Sequence, residues 1–301
     1  MPILIIGYLM AGGELWSLDT LWWAIFGLIF HGIGFLQNNI FDLAVDKKDP
    51  NKQHFPLVRG DINVYHANLV QQIGLVVIAL LGIALMNGNI VAWIIMLAAM
   101  GAGTLYNKVS KTSLTSTFWI CLTFSPLFLF SYLSTGGEMD QTAWLIFFFI
   151  NLQIAFQIGY SGYLKEIGSL EQINLLRKMG ARVKDGIFEP KYTLIFGSLL
   201  RGATIILLVL IASELIEWIL VLSFFAVSQV FVFMIMKRRK WERDKDLIRM
   251  SLVEALTYFT LPVAIGSIIG WDAVAFLIIF PLIWFVMWNR LIWGTKFTPK
   301  V

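Results

Sequence analysis

The chain repeats one pattern: apolar stretches of about 20 residues separated by shorter polar loops. That length matches the hydrocarbon core of a bilayer, about 30 Å thick. Inside such a core the backbone satisfies its own hydrogen bonds only as helices or as a closed barrel. No period-2 alternation runs through these stretches, so helices are expected. Ten candidate spans follow: 2–13, 20–40, 66–87, 89–106, 116–135, 142–162, 192–213, 215–236, 250–269 and 272–290. The first is short. With 58% hydrophobic and only 14% charged residues, the chain has too few charges to solvate a soluble domain.

The charges assign sides. The loops after spans two, four, six and eight, together with the tail, hold 22 of the 23 Lys and Arg residues; the other is Arg201, inside span seven. The intervening loops carry only acids: Glu14, Asp19, Glu138, Asp140, Glu214, Glu217 and Asp272. By the positive-inside rule the basic loops and both termini face the cytoplasm, which needs an even number of crossings. Ten fits. The first segment has no basic start, so no cleavable signal peptide is expected. The lone Cys121 permits no intrachain disulfide. The net charge of +4 is concentrated in the cytoplasmic loops, which fits contact with an anionic lipid bilayer, not nucleic acid.

Chemistry concentrates at the end of span two, which reads Gln37-Asn38-Asn39-Ile40-Phe41-Asp42-Leu43-Ala44-Val45-Asp46. Asn38, Asp42 and Asp46 are four residues apart, so on a helix they form one polar ridge with neighbours about 5–6 Å apart. Carboxylates so placed can hold Mg²⁺ against substrate phosphates. Two loops exceed the length a turn needs, 41–62 and 163–190. Both mix apolar with charged residues, which predicts short amphipathic helices. For the second loop, helices lying flat on the bilayer are the lesser rival to a functional role.

The first loop resembles the signature of the UbiA superfamily of intramembrane prenyltransferases. Its pattern is Asn-Asp-x-x-Asp-x-x-x-Asp, followed by a basic stretch and Arg-Pro-(Leu/Ile)-x-x-Gly. Here Asn38-Asn39-x-x-Asp42-x-x-x-Asp46 is followed by Lys52, then Pro56-Leu57-Val58-Arg59-Gly60, with Asn39 and Phe55 as departures. The resemblance implies an all-α polytopic transmembrane bundle of nine to ten helices. It implies a central cavity capped by cytoplasmic loops, formed by residues 1–301 as a single prenyltransferase-like domain. It implies Mg²⁺ held by Asn38, Asp42, Asp46 and Glu166, which are also the expected catalytic set. A prenyl diphosphate would be bound by Lys52, Arg59, Tyr106, Lys108, Lys111, Tyr163, Lys165 and Glu171, and its prenyl group passed to an aromatic or lipid-precursor acceptor. The family's second acidic motif is only echoed: Lys165-Glu166 match its start, but Ser169, Leu170 and Ile173 stand where aspartates are expected. A terpene cyclase of the same superfamily is the nearest rival. A non-enzymatic transporter or lipid-binding protein is a second rival; matched pairs of broken helices would mark a transporter, and none are legible.

Other polar residues inside the spans are read separately. Arg201 lies ten residues past Lys191, about 15 Å along a helix and so near mid-bilayer. A charge at that depth faces a cavity or a partner, and lining and helix anchoring are both open. Gln153 and Gln157 read as interhelical hydrogen-bonding residues. Glu254 and Tyr258 form a candidate acid and partner. His31, seven residues before Asn38, reads as a neutral, satisfied side chain. Gly101-Ala102-Gly103 reads as a close helix contact.

Overall fold

The computed structural model describes residues 2–49, 52–110, 112–165, 167 and 175–293. The chain divides into two compact units, one reaching to Ala143 and the other beginning at Trp144. The architecture is helical, as expected. Among the described residues, seven helices are long and apolar enough to cross a membrane.

The first unit contains α1 (Pro2–Met10), α2 (Leu18–Asp46), α3 (Pro56–Arg59), α4 (Val64–Leu85), α5 (Ile90–Val109) and α6 (Ser116–Ser134). α2 begins at Ser17, whose side chain accepts from the Thr20 amide at 3.2 Å. Its 29 residues rise about 43 Å, longer than the hydrocarbon core, so one end must project. α1 has nine residues and rises only about 13 Å. The expected span 2–13 is shortened because Gly12 turns left-handed, with φ of 87°. Crossing ten times would require α1 to span, and at this length it does not cross alone. α1 packs closely on α6 at Gly7: a Cβ there would lie 2.6 Å from the Phe128 carbonyl oxygen. α5 packs on α6 through its small residues. Ala92, Ala99 and Ala102 are buried, and a Cβ on Gly103 would sit 3.1 Å from Thr123. Gly101 is exposed, so only part of the expected small-residue contact forms.

The second unit begins within α7 (Gln141–Ile154), which continues as a π-helical stretch over Ala155–Gly162 and one further turn, α8 (Tyr163–Lys165). After α9 (Leu175–Lys178) come β1 (Arg182–Lys184) and β2 (Ile187–Glu189). Helices α10 (Thr193–Ile211) and α11 (Leu215–Met236) lead to β3 (Arg239–Lys240), α12 (Arg243–Ala264), α13 (Gly266–Ile269) and α14 (Trp271–Trp293). The three strands form one antiparallel sheet in the order β1-β2-β3.

Short helices are expected in the second loop; its described part holds α8 and α9, and in addition a hairpin that the expectation does not include. The turn Asp185-Gly186 has φ of 50° and 73°, the conformation a two-residue hairpin needs, and Asp-Gly favours it. That dipeptide between Arg-Val-Lys and Ile-Phe-Glu was a legible signal. The sheet stays short because β3 supplies only two residues before α12 begins.

Arg201 is 1% exposed and anchors helices. Its guanidinium donates to Thr257 on α12 and Ser228 on α11. The Gln229 amide, assigned with its oxygen inward, accepts at 3.0 and 3.3 Å. Phe225 and Phe156 lie against the charge at 4.8 and 5.3 Å. Of the two readings open for Arg201, these contacts match the anchor. Gln153 is buried, but among the described residues its Oε1 has no hydrogen-bond partner. His31 is exposed and lies edge-on to Phe35 at 4.5 Å.

Candidate active site at the end of the second helix

Asn38, Asp42 and Asp46 lie on one face of the last turns of α2. Asn38 donates from Nδ2 to Asp42 Oδ2 at 2.5 Å, the contact expected of an i,i+4 pair. Ser110, just past the end of α5, reaches Asp42 Oδ1 at 3.5 Å. Asp46 Oδ1 accepts from Lys52 Nζ at 2.7 Å. The two carboxylates are only 5% and 3% exposed, so the ridge is buried against the unit and is not a surface stripe.

The placement is electrostatically costly. A helix C-terminus carries about half a negative charge, and acids there are unfavourable by roughly 0.3–1 kcal/mol each. α2 has no basic residue in its last turn. Lys52, beyond the helix, is the cation that offsets Asp46. A cation bound by the ridge would be stabilised by the same field.

The register of α2 against α5 is set one residue away. Asn107 donates from Nδ2 to Gln37 Oε1 at 2.9 Å and to the Gly34 carbonyl at 3.2 Å. Gln37 donates in turn to Thr104 Oγ1 at 3.3 Å. Asn107 and Ser110 are three residues apart, so the bond that seats Asn107 also aims Ser110 at Asp42. Sequence reasoning missed Gln37, Asn107 and Ser110. The signal for the first two was their polarity at the ends of apolar spans.

The remaining expected site residues lie on several elements. Arg59 closes α3, is exposed and pairs with Asp61. Gly60 follows with φ of 85°, a left-handed helix end that suits glycine. Tyr106 is half-buried and Lys108 exposed on α5. Tyr163 is buried in the apolar core of the second unit with Phe156, Leu164 and Phe188. Lys165 ends α8. Lys111, Glu166 and Glu171 lie outside the described residues.

The donor set suits a hard divalent cation: two carboxylates and an amide, all offering oxygen. Among the described residues no three or more His, Cys, Asp or Glu side chains gather as a metal cluster. Mg²⁺ does not need such a cage, since it binds through one or two carboxylates plus phosphate and water.

Apolar helices long enough to span a bilayer, with an acidic ridge at the end of one of them, define an integral-membrane protein of the polytopic helical class. The sequence pattern of the UbiA prenyltransferase family matches residues 1–253. The chain belongs to that family, whose general activity is intramembrane prenyl transfer. It is also similar in fold to the apo structure of a UbiA homolog from Aeropyrum pernix K1. That match has a TM-score of 0.65 at 15% identity, covering 90% of this chain and 95% of the other. No curated protein matches.

Proposed function

We propose that this chain transfers a polyprenyl group from its diphosphate to an aromatic or other lipid-precursor acceptor. Asp42 and Asp46 would hold Mg²⁺, with Asn38 as a further ligand or as the donor that orients Asp42. The carrying observation is the pair of buried carboxylates at the negative end of a helix, one bonded to Asn38 and the other to Lys52. Bound Mg²⁺ would neutralise the diphosphate and stabilise the charge it gains as a leaving group. Breaking the C1–O bond sends the electron pair to the diphosphate and leaves an allylic cation. The acceptor's nucleophilic atom bonds to C1 and gives up its proton to the released diphosphate or to water. Lys52, bonded to Asp46, would steady the departing diphosphate. Arg59, Tyr106, Lys108 and Lys111, and Tyr163, Lys165, Glu166 and Glu171 of the second loop, are proposed as weaker contributors.

The incomplete second motif, with Ser169, Leu170 and Ile173 in place of acids, keeps a second reading: an intramolecular cyclase. Mass spectrometry of products from a prenyl diphosphate and a panel of acceptors separates the two. An acceptor adduct supports transfer. A cyclic hydrocarbon or alcohol without adduct overturns it, and no turnover of any diphosphate overturns both. In the same assay Lys165→Ala should raise the KM for diphosphate; an unchanged KM removes the second loop from the site.

The one-sided Lys and Arg distribution further supports cytoplasmic placement of the basic loops. In a variant lacking Cys121, a cysteine in place of Lys240 should react with an impermeant thiol reagent only after cells are opened. A cysteine in place of Glu138 should react in intact cells. The reverse pattern would sink this orientation.

A further inference from the structure

The small sheet of the second unit has two unlike faces. Directly paired residues of neighbouring strands point the same way. The pairs Arg182↔Glu189, Lys184↔Ile187 and Ile187↔Lys240 therefore share one face, and Val183, Phe188 and Arg239 share the other. The second face is built into the unit. Phe188 is completely buried in the apolar core. Arg239 donates to the Met234 and Ile235 carbonyls that end α11, and pairs with Asp246 of α12 at 2.5 Å. The sheet is thereby fixed to the ends of two helices.

The first face is exposed and cationic. Arg182, Lys184 and Lys240 are exposed on it, and Arg238 lies 3.8 Å from Glu189. Glu189 is shared between Arg182, at 2.7 Å, and Arg238. Asp185 occupies the turn. Four cations against two carboxylates leave two net positive charges. The height is set by the chain on either side. β2 runs through Pro190 and exposed Lys191 into exposed Tyr192, the residue that precedes apolar α10. Tyrosine and lysine in that position mark the lipid–water boundary. Topology requires only that lysines be present in a loop; it does not require a sheet that holds them on one plane beside this boundary.

We propose that the outer face of this sheet binds the headgroups of anionic phospholipids surrounding the second unit. Attraction to a charged headgroup layer decays within about 8 Å at physiological salt, so it favours cations held beside the boundary over cations in a loose loop.

The full chain in phosphatidylcholine micelles, titrated with phosphatidylglycerol and read by native mass spectrometry, tests this. Wild type should retain phosphatidylglycerol over phosphatidylcholine by about tenfold, from a few interfacial cations. The double variant Lys184→Glu with Lys240→Glu should lose that preference while keeping wild-type prenyl transfer in phosphatidylcholine. The milder pair Lys184→Gln with Lys240→Gln should show at least a threefold loss and serves if charge reversal prevents folding. Equal retention of both lipids by wild type, or an unchanged preference in either variant, overturns the proposal. Displacement of phosphatidylglycerol by millimolar inorganic phosphate at constant ionic strength also overturns it, marking a soluble-anion site instead.

Discussion

Asp42→Asn and Asp46→Asn are each expected to lower turnover by at least about 10²-fold, roughly 2.7 kcal/mol of transition-state stabilisation. The substitution keeps the side chain's size and removes its charge, so it isolates the electrostatic role. Both acids are buried at the C-terminal end of α2, where helix dipole and desolvation oppose a negative charge. Apart from the pairing of Asp46 with Lys52, folding gains little from these charges. Asp42→Asn should therefore leave thermal stability unchanged or slightly raised, since the new amide can still accept from Asn38. Asp46→Asn gives up its pairing with Lys52 at 2.7 Å, and the partly exposed lysine limits that loss to about 1 kcal/mol. The paired measurement is steady-state turnover across a Mg²⁺ titration and a melting curve of the same preparation. Near-wild-type activity for both variants at limiting Mg²⁺ would contradict the assignment. Loss of activity together with collapse of the melting transition would show the acids to be structural.

Arg201→Met is expected to lower stability by about 3 kcal/mol, with little direct effect on diphosphate chemistry. The variant leaves the Gln229 oxygen without its donor, at about 1–3 kcal/mol for a buried acceptor. It also removes the cation packed against Phe156 and Phe225, worth roughly 0.5–2 kcal/mol per ring. The Thr257 and Ser228 hydroxyls lose less, because they still donate to the Val253 and Phe225 carbonyls at 2.7 and 2.8 Å. Relief from burying a charge opposes these losses. The anchoring contacts win because they join three helices, α10, α11 and α12. A fall in melting temperature of about 6–12 °C corresponds to this loss. Adding Gln229→Leu and Ser228→Ala to Arg201→Met should recover part of it, since the stranded acceptors are gone. A single variant as stable as wild type would remove Arg201 from its anchoring role.

Much of this was legible in the sequence, and the reason is the bilayer. Hydrocarbon leaves the backbone almost no choice, so apolar length alone places α2, α4, α5, α6, α7, α10 and α11. Helical geometry likewise sets Asn38, Asp42 and Asp46 on one face before any coordinates are known. These features are local, fixed by spacing along one element. The β1–β2 hairpin carries a local signal at Asp185-Gly186, but the third strand does not, since it lies about 50 residues further along the chain, at Arg239–Lys240. A two-residue strand has no periodicity to read. The membrane-spanning class and the composition of the acidic ridge are written in the chain, because each follows from residues a few positions apart. The burial of the ridge, the offset of Asp46 by Lys52 and the aiming of Ser110 at Asp42 through Asn107 emerge from packing alone. Each of these depends on side chains brought together from separate elements, and chain spacing carries no record of which faces meet.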